Sequence, residues 1–388
     1  MTLNNLLFSL ISSEISEGIA QTKYDKKPDE ETLKKLYKTA KAHDVAHIVC
    51  EALEKQGFLD DGEISGKFRK KKLVAMYRTE QIVYDYASIC SCLEENGVDF
   101  LPLKGSVIRD LYPEKWMRTS CDIDILVKRE DCERAGRLLC EKLSFKRKDG
   151  QTLHDFQLLS PTGVLLELHY TLIEEDCLPK ISPFLENVWE KACLCDGFKH
   201  KYELSPEVFM LYNTAHMAKH ILRGGCGIKS FIDLYILEKK LDFNRQKLNE
   251  LLEKSSLLTF HNGAQKLCGV WFYGEEYDET SIGLEKYVLA GGVYGTASNG
   301  AAISAGKGES RTKAFLNNMF LSYDALCVVY PKLKEKKILY PFYQIKRWFR
   351  VFNKEKRKKI TSLTGIRNAV SDKERQNAKK LLEKLEIE

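Results

Sequence analysis

Two aspartates interrupt an apolar run in the stretch TSCDIDILVKRED, residues 119–131. Side chains on a strand point alternately to opposite faces, so Asp122 and Asp124 share one face while Ile123, Ile125 and Val127 share the other. An apolar face of that regularity packs on helices, which calls for a fold that combines a sheet with helices. The opposite face then carries two carboxylates about 7 Å apart. A buried carboxylate costs several kcal/mol (about 2–7 for a polar group, more for a charge) unless something pairs with it. Two of them so close also repel. A divalent cation between them removes the conflict, and hard oxygen donors suit Mg²⁺ or Mn²⁺.

The rest of the chain sorts into three parts around this strand. Residues 1–97 read as a helical N-terminal unit: TLNNLLFSLISSEI has helical spacing, one helix is entered through Asp29, the next stops at Gly57, and a long amphipathic segment runs from about Lys67 to Glu95 before Asn96-Gly97. Residues 98–200 change texture. VDFLPL (98–103) reads as a strand, KGSVIRDLY (104–112) as a helix closed by Pro113, and REDCERAGRLLCEKLSF (129–145) as a helix running into a strand. LHDFQLL and VLLELHY read as two strands joined by the turn SPTG, residues 160–163. Residues 201–388 return to helix, with Ser205 and Pro206 opening one helix and Gly224-Gly225 stopping it. The expectation is an α+β protein with a small mixed-sheet core between two helical units.

In VLLELHY, Glu167 interrupts an apolar strand as the aspartates do, and Leu165, Glu167 and His169 share a face. If the two strands are neighbours, Glu167 supplies a third carboxylate. Three acids around two cations is the arrangement for in-line phosphoryl or nucleotidyl transfer. LPLKGS offers a phosphate cradle: Gly105 and Ser106 open a helix, where free N–H groups and the dipole favour anions, and Lys104 and Arg118 add charge.

The order strand–Lys-Gly-Ser–helix, then Asp-x-Asp on a strand, then an acid on a later strand resembles the nucleotidyltransferase superfamily with the polymerase-β-like fold. FLPLKGSVIRDLYPEKWMRTSCDIDILV followed by GVLLELHYTL looks like a poorly characterised bacterial nucleotidyltransferase family within it. The matching positions are Lys104-Gly105, Arg118 (four residues before Asp122), Asp122-x-Asp124 with Leu126-Val127, and Glu167-x-His169. The strong motifs cover residues 98–172; the N-terminal helices and AHMAKHILRGGCGIKSFIDLY resemble the family more loosely. The resemblance implies that Asp122, Asp124 and Glu167 hold the metal, and that Gly105 and Ser106 contact the triphosphate. It implies an NTP substrate and does not name the acceptor: a small molecule first, with a protein side chain or an RNA end as the other options. A non-catalytic nucleotide-binding regulatory protein is the alternative from another class.

His216 and His220 stand four apart on one helix and so share a face. With Asp233 on the next helix they offer a second metal set or a lining for the acceptor pocket. His154 falls opposite His169 if SPTG sets a symmetric register, and a bulge at Gly163 would break that pairing. The glycines of AGGVYGTASNGAAISAGKGES (290–310) follow no clear strand, so they read as a loop and not as a phosphate signature. The basic, aromatic segment 331–359 reads as a helical hairpin with a charged face, and it is the one feature that favours an RNA-modifying enzyme. Twelve cysteines without a CxxC pair argue against a zinc site and for reduced thiols. With no secretory start and no run long enough to span a bilayer, the expected location is the cytoplasm.

Overall fold

The computed structural model describes residues 2–16, 26–148, 155–172, 181–185, 187–293, 295–306, 336–351 and 370–387, with isolated residues between 320 and 333. Four helices come first: α1 (Leu3–Ile15), α2 (Glu30–Ala42), α3 (Ala46–Lys55) and α4 (Glu63–Glu95). Thr2 and Asp29 cap the first two, their side-chain oxygens accepting from the N–H of Asn5 at 3.2 Å and of Thr32 at 2.8 Å. α4 starts at Glu63, earlier than the amphipathic pattern suggests, and ends where Gly97 takes φ +65°.

Five strands form one mixed sheet: β1 (Phe100–Pro102), β2 (Asp122–Val127), β3 (Lys146–Arg147), β4 (Asp155–Leu159) and β5 (Leu165–His169), in the order β1-β2-β5-β4-β3. β2 and β5 run parallel; the other neighbours are antiparallel. A parallel pair needs a long connection. Here the chain passes through α6 (Cys132–Leu143) and the β3–β4 ribbon. The alternation in β2 is realised as the sequence implies. Ile123, Ile125 and Val127 are buried with Leu166 and Leu168 of β5, under Ile82, Ile89 and Leu93 of α4 and Ala135 and Leu139 of α6. Each such side chain contributes about 1.5–3 kcal/mol, and truncating Ile125 to Ala would cost about 2–5 kcal/mol.

Several local expectations are corrected. The strand expected over 98–103 is three residues long, and the helix expected over 104–112 divides into α5 (Gly105–Ile108) and a 3₁₀ turn, Arg109–Leu111. The β4–β5 turn holds one residue more than a symmetric SPTG turn: Leu159 pairs with Leu165, so Asp155, not His154, stands opposite His169. The cause is a bulge in which Gly163 takes φ +85° and the Ser160 N–H donates to Val164 O at 2.9 Å. His154 itself lies outside the described residues.

After α7 (Ser182–Leu185), the strands β6 (Ala192–Leu194) and β7 (Tyr202–Leu204) form a hairpin that docks on β1, where the Phe100 N–H donates to His200 O at 2.9 Å. The helices α8 (Pro206–Leu222), α9 (Ile228–Lys240), α10 (Arg245–Lys254), α11 (Leu258–Tyr273) and α12 (Glu279–Gly291) follow. Ser205 and Pro206 open α8 as expected. One continuous core joins Leu7 and Leu10 of α1, Ile48 of α3, Leu126 of β2, Tyr212 of α8, Phe231 of α9 and Phe260 of α11.

The Gly/Ala/Ser-rich stretch, expected as a loop, contains the helix α13 (Ala297–Gly306). Its low propensity is overridden by packing, with Ile303 buried and the C-terminal helix, Asp372–Leu385, lying against it, and its start crosses the Gly224 backbone closely. A Cβ on Gly224 would lie 2.7 Å from Gly300 Cα, and one on Gly295 would lie 2.4 Å from Gly224 O. Only glycines allow the two chains to touch there. Of the basic segment 331–359, the described residues include a 3₁₀ turn, Lys337–Leu339, and a helix, Tyr340–Val351; residues 331, 332, 334, 335 and 352–359 lie outside the described residues. Among the described residues no helix is long and apolar enough to cross a membrane.

Candidate active site

The parallel register of β2 on β5 sets Asp124 directly beside Glu167 and Leu126 beside His169. Adjacent strands lie about 4.8 Å apart, and paired residues point to the same side. Asp124, Glu167 and His169 therefore converge, each offering a ligand atom within 4.8 Å of the others. Among the described residues this is the one such group of three or more His, Cys, Asp or Glu.

Two donors meet on one oxygen of the cluster. Lys104 Nζ donates to Asp124 Oδ1 at 2.9 Å, and His169 Nε2 donates to the same oxygen at 2.7 Å; it also stands 3.6 Å from Glu167 Oε2. Burial works against the Asp124 charge, but the Lys104 ammonium and the His169 hydrogen bond hold its carboxyl far below the usual carboxylate range. Asp122 has weaker support: Lys104, Arg118 and Lys229 favour its charge but do not prevail. Burial, and then the neighbouring Asp124 charge, push its carboxyl up. Burial also opposes the charge on Lys104, and Asp124 overrides it and raises the ammonium. A carboxyl cluster that keeps one member ionised only with help, and penalises the next, fits a divalent cation.

Lys104 reaches Asp124 from an unusual backbone. Its φ is +44°, a region that favours glycine, and such strain costs about 1–3 kcal/mol. The turn is held by Ser106 N–H to Leu103 O at 3.0 Å and Val107 N–H to Lys104 O at 3.0 Å. This alters the cradle expected at Gly105-Ser106. The Ser106 amide is engaged by Leu103, α5 is four residues long, and Ser106 is buried away from the cavity wall, whereas Gly105 lines it. Gly105 also sits close to the Arg118 guanidinium: a Cβ there would lie 3.0 Å from Arg118 Nη1.

Arg118 lies between the sheet and the C-terminal helices. Its Nε and Nη2 donate to Asp233 Oδ1 and Oδ2 at 3.0 and 2.8 Å, and Nη1 donates to Thr119 O at 3.0 Å. Tyr112 OH adds a bond to Asp233 Oδ1 at 2.7 Å. Asp233 is thus engaged by Arg118 and Tyr112, and it does not join His216 and His220 in a metal set. Those two histidines pack against each other, Nε2 to Nε2 at 3.3 Å. Burial first, then nearby cations, push both imidazoles down, His220 to about 4.

The three acids, His169, Lys104, Arg118 with Asp233, and both helix histidines line one cavity of about 360 Å³ between the acidic face of the sheet and α8–α9. Three more cationic residues line it: Lys219 on α8, Arg223 one turn later at its C-cap, and Lys229 on α9. The Lys229 ammonium donates to Thr119 O at 3.1 Å. Burial, and then Arg118, push it down. Gln157, opposite Glu167 on β4, donates from Nε2 to Glu167 Oε1 at 2.9 Å and fixes that carboxylate. The sequence reading missed these four. The signal for the cations was present in AHMAKHILRGGCGIKSFID: a Lys/Arg pair at helical spacing before a Gly-Gly stop, and a lysine in the first turn after it.

Compared with protein families, residues 29–273 match the uncharacterised nucleotidyltransferase family. No curated protein and no solved structure matches the chain.

Proposed function

The chain belongs to that nucleotidyltransferase family, and we propose from this that it moves a nucleoside monophosphate from an NTP to an acceptor hydroxyl or phosphate. In this reaction an acceptor oxygen bonds to the α-phosphorus, the bond from that phosphorus to the bridging oxygen breaks, and pyrophosphate leaves. The observation that carries the reading is the parallel pairing of β2 with β5, which sets Asp124 beside Glu167 at the cavity, with Asp122 one strand repeat away.

Asp122, Asp124 and Glu167 would hold divalent cations, Mg²⁺ or Mn²⁺, which supply charge neutralisation at the phosphoryl oxygens and activation of the acceptor oxygen. The remaining roles fall to the chain itself. Glu167, held through Gln157, accepts the proton of an acceptor hydroxyl. Lys219, Arg223 and Lys229 bind the triphosphate from the helical wall, with Gly105 and Lys104 at the opposite edge. Arg118, tied to Asp233, keeps the strand that carries the acids in register with α9. The cavity has the size of a single small-ligand site, which the NTP itself would occupy.

The test is thermal shift of wild type and Asp124→Asn with each of the four NTPs, with and without a divalent cation, followed by pyrophosphate release with candidate acceptors. A ligand at about 100 times its Kd stabilises by about 2.7 kcal/mol. Wild type should respond to one NTP in a cation-dependent way, and Asp124→Asn should lose about a hundredfold or more in turnover. Equal turnover in the variant refutes the assignment. Nucleotide bound and returned unchanged identifies a binding protein.

A further inference from the structure

We propose that His169 is itself a metal ligand, and that the site consequently prefers a first-row transition metal such as Mn²⁺ to Mg²⁺. The inference rests on the nucleotidyl-transfer reading and goes beyond it in naming the metal class. Its basis is the convergence of one imidazole with two carboxylates. His169 Nε2 lies 2.7 Å from Asp124 Oδ1 and 3.6 Å from Glu167 Oε2, and all three side chains line the cavity. The placement follows from the sheet: His169 is two residues beyond Glu167 on β5, and so on the same face, while its neighbour on β2 is the apolar Leu126. With no polar partner beside it on β2, the imidazole leans back along the strand toward Asp124.

Donor chemistry then separates the candidate ions. Mg²⁺ demands oxygen ligands in near-ideal octahedral geometry and gives up water reluctantly. A nitrogen donor adds little for Mg²⁺, whereas affinity for imidazole rises along the first-row transition series. A set of two carboxylates and one imidazole is therefore biased toward the transition metals. As a ligand, Nε2 must offer its lone pair and leave the proton on Nδ1. It cannot donate to Asp124 Oδ1 at the same time, so binding exchanges one contact for the other. The Lys104 ammonium, on the same oxygen at 2.9 Å, must also give way or shift to the second oxygen.

The experiment uses the full chain, Mn²⁺ and Mg²⁺ as probes, and the variants His169→Ala and His169→Gln. The glutamine retains an N–H donor for Asp124 and removes the imidazole lone pair, so it guards against loss of the fold. Binding of each ion is measured by calorimetry, and pulsed EPR of bound Mn²⁺ reads out ¹⁴N coupling from a ligating imidazole. The expected result is ¹⁴N coupling in wild type and none in either variant, with Mn²⁺ affinity falling about tenfold or more and Mg²⁺ affinity nearly unchanged. Mn²⁺ bound without ¹⁴N coupling, or both ions weakened equally, overturns the assignment of His169 and leaves the carboxylate site standing. Failure of wild type to bind either ion overturns both this inference and the metal site of the proposed function.

Discussion

Replacing Asp233 with Ala removes the acceptor for three hydrogen bonds: Arg118 Nε at 3.0 Å, Arg118 Nη2 at 2.8 Å and Tyr112 OH at 2.7 Å. Arg118 is 8% exposed and would keep only its bond to Thr119 O. Stranding one member of a buried pair costs about 3–5 kcal/mol. The surviving bond to Thr119 sets the expectation at the lower end, about 3 kcal/mol, a factor of roughly 150 in the unfolding equilibrium. In urea, with an m value at or above about 3 kcal/mol per molar for a chain of this size, the midpoint falls by up to about 1 M. The double variant Arg118→Met, Asp233→Leu removes both charges and should recover most of that loss, because a packed apolar pair often equals a buried ion pair in stability. It should nevertheless lose activity, since the strand bearing the acids is no longer fixed to α9. The assay is urea unfolding of wild type, both single variants and the double, with turnover measured on the folded forms. A loss below about 1 kcal/mol in Asp233→Ala, or a double variant as unstable as the two singles added together, refutes the reasoning.

Three further outcomes follow from the same geometry. Gly105→Ala places a Cβ 3.0 Å from Arg118 Nη1, so turnover and stability should fall together; a variant that loses nucleotide binding at unchanged stability would show that the glycine serves the phosphates instead. Gln157→Ala frees Glu167 Oε1 from its 2.9 Å hydrogen bond and should cost about tenfold to a hundredfold in kcat/KM, with wild-type turnover in the variant refuting the role. Burial, Lys219 and Lys104 hold His220 down at about 4, while the unfolded imidazole titrates near about 6.5. Between those values the unfolded chain binds the extra proton, so stability falls as pH drops from about 6.5 to about 4. His220→Gln should flatten that fall in urea midpoints, and an unchanged pH slope in the variant would refute the assignment.

The faces of the strands were legible in the sequence because side-chain alternation is a local property. Asp122-x-Asp124 and Glu167-x-His169 declare their shared faces within a few residues, and Ile123, Ile125 and Val127 declare what lies behind them. That β2 runs parallel to β5 in the register Asp124 to Glu167 is not local. It depends on how α6 and the β3–β4 ribbon return the chain, and so the closeness of His169 to Asp124 could not be read. The bulge at Gly163 was recognisable as an option, but its presence is decided by hydrogen bonds between Ser160 and Val164. Gly105 was legible as special, but its closeness to the Arg118 guanidinium was not, because that contact is set by how the chain places Arg118. The helix at Ala297–Gly306 was missed because propensity is summed along the chain, whereas what stabilises it is distant: Ile303 enters the core and the helix packs on the C-terminal helix, Asp372–Leu385.

The glycine crossing at Gly224 bears on where the working unit begins and ends. Likeness to the family stops at residue 273, and every acid of the site lies before that point. The wall of the cavity does not, since Val293 lines it. The Val293 N–H donates to Ala42 O at 3.0 Å, and the Thr296 N–H donates to Gly224 O at 3.3 Å. These bonds strap the end of α2 to the bend between Arg223 and the start of α9, which carries Lys229. At the other end, Leu7, Leu10 and Ile11 of α1 are wholly buried and precede the matched region. A fragment trimmed to residues 29–273 would keep the chemistry on paper, with one side of its pocket unsupported and a greasy groove laid open. The part recognisable by descent is smaller than the part that can hold its own shape.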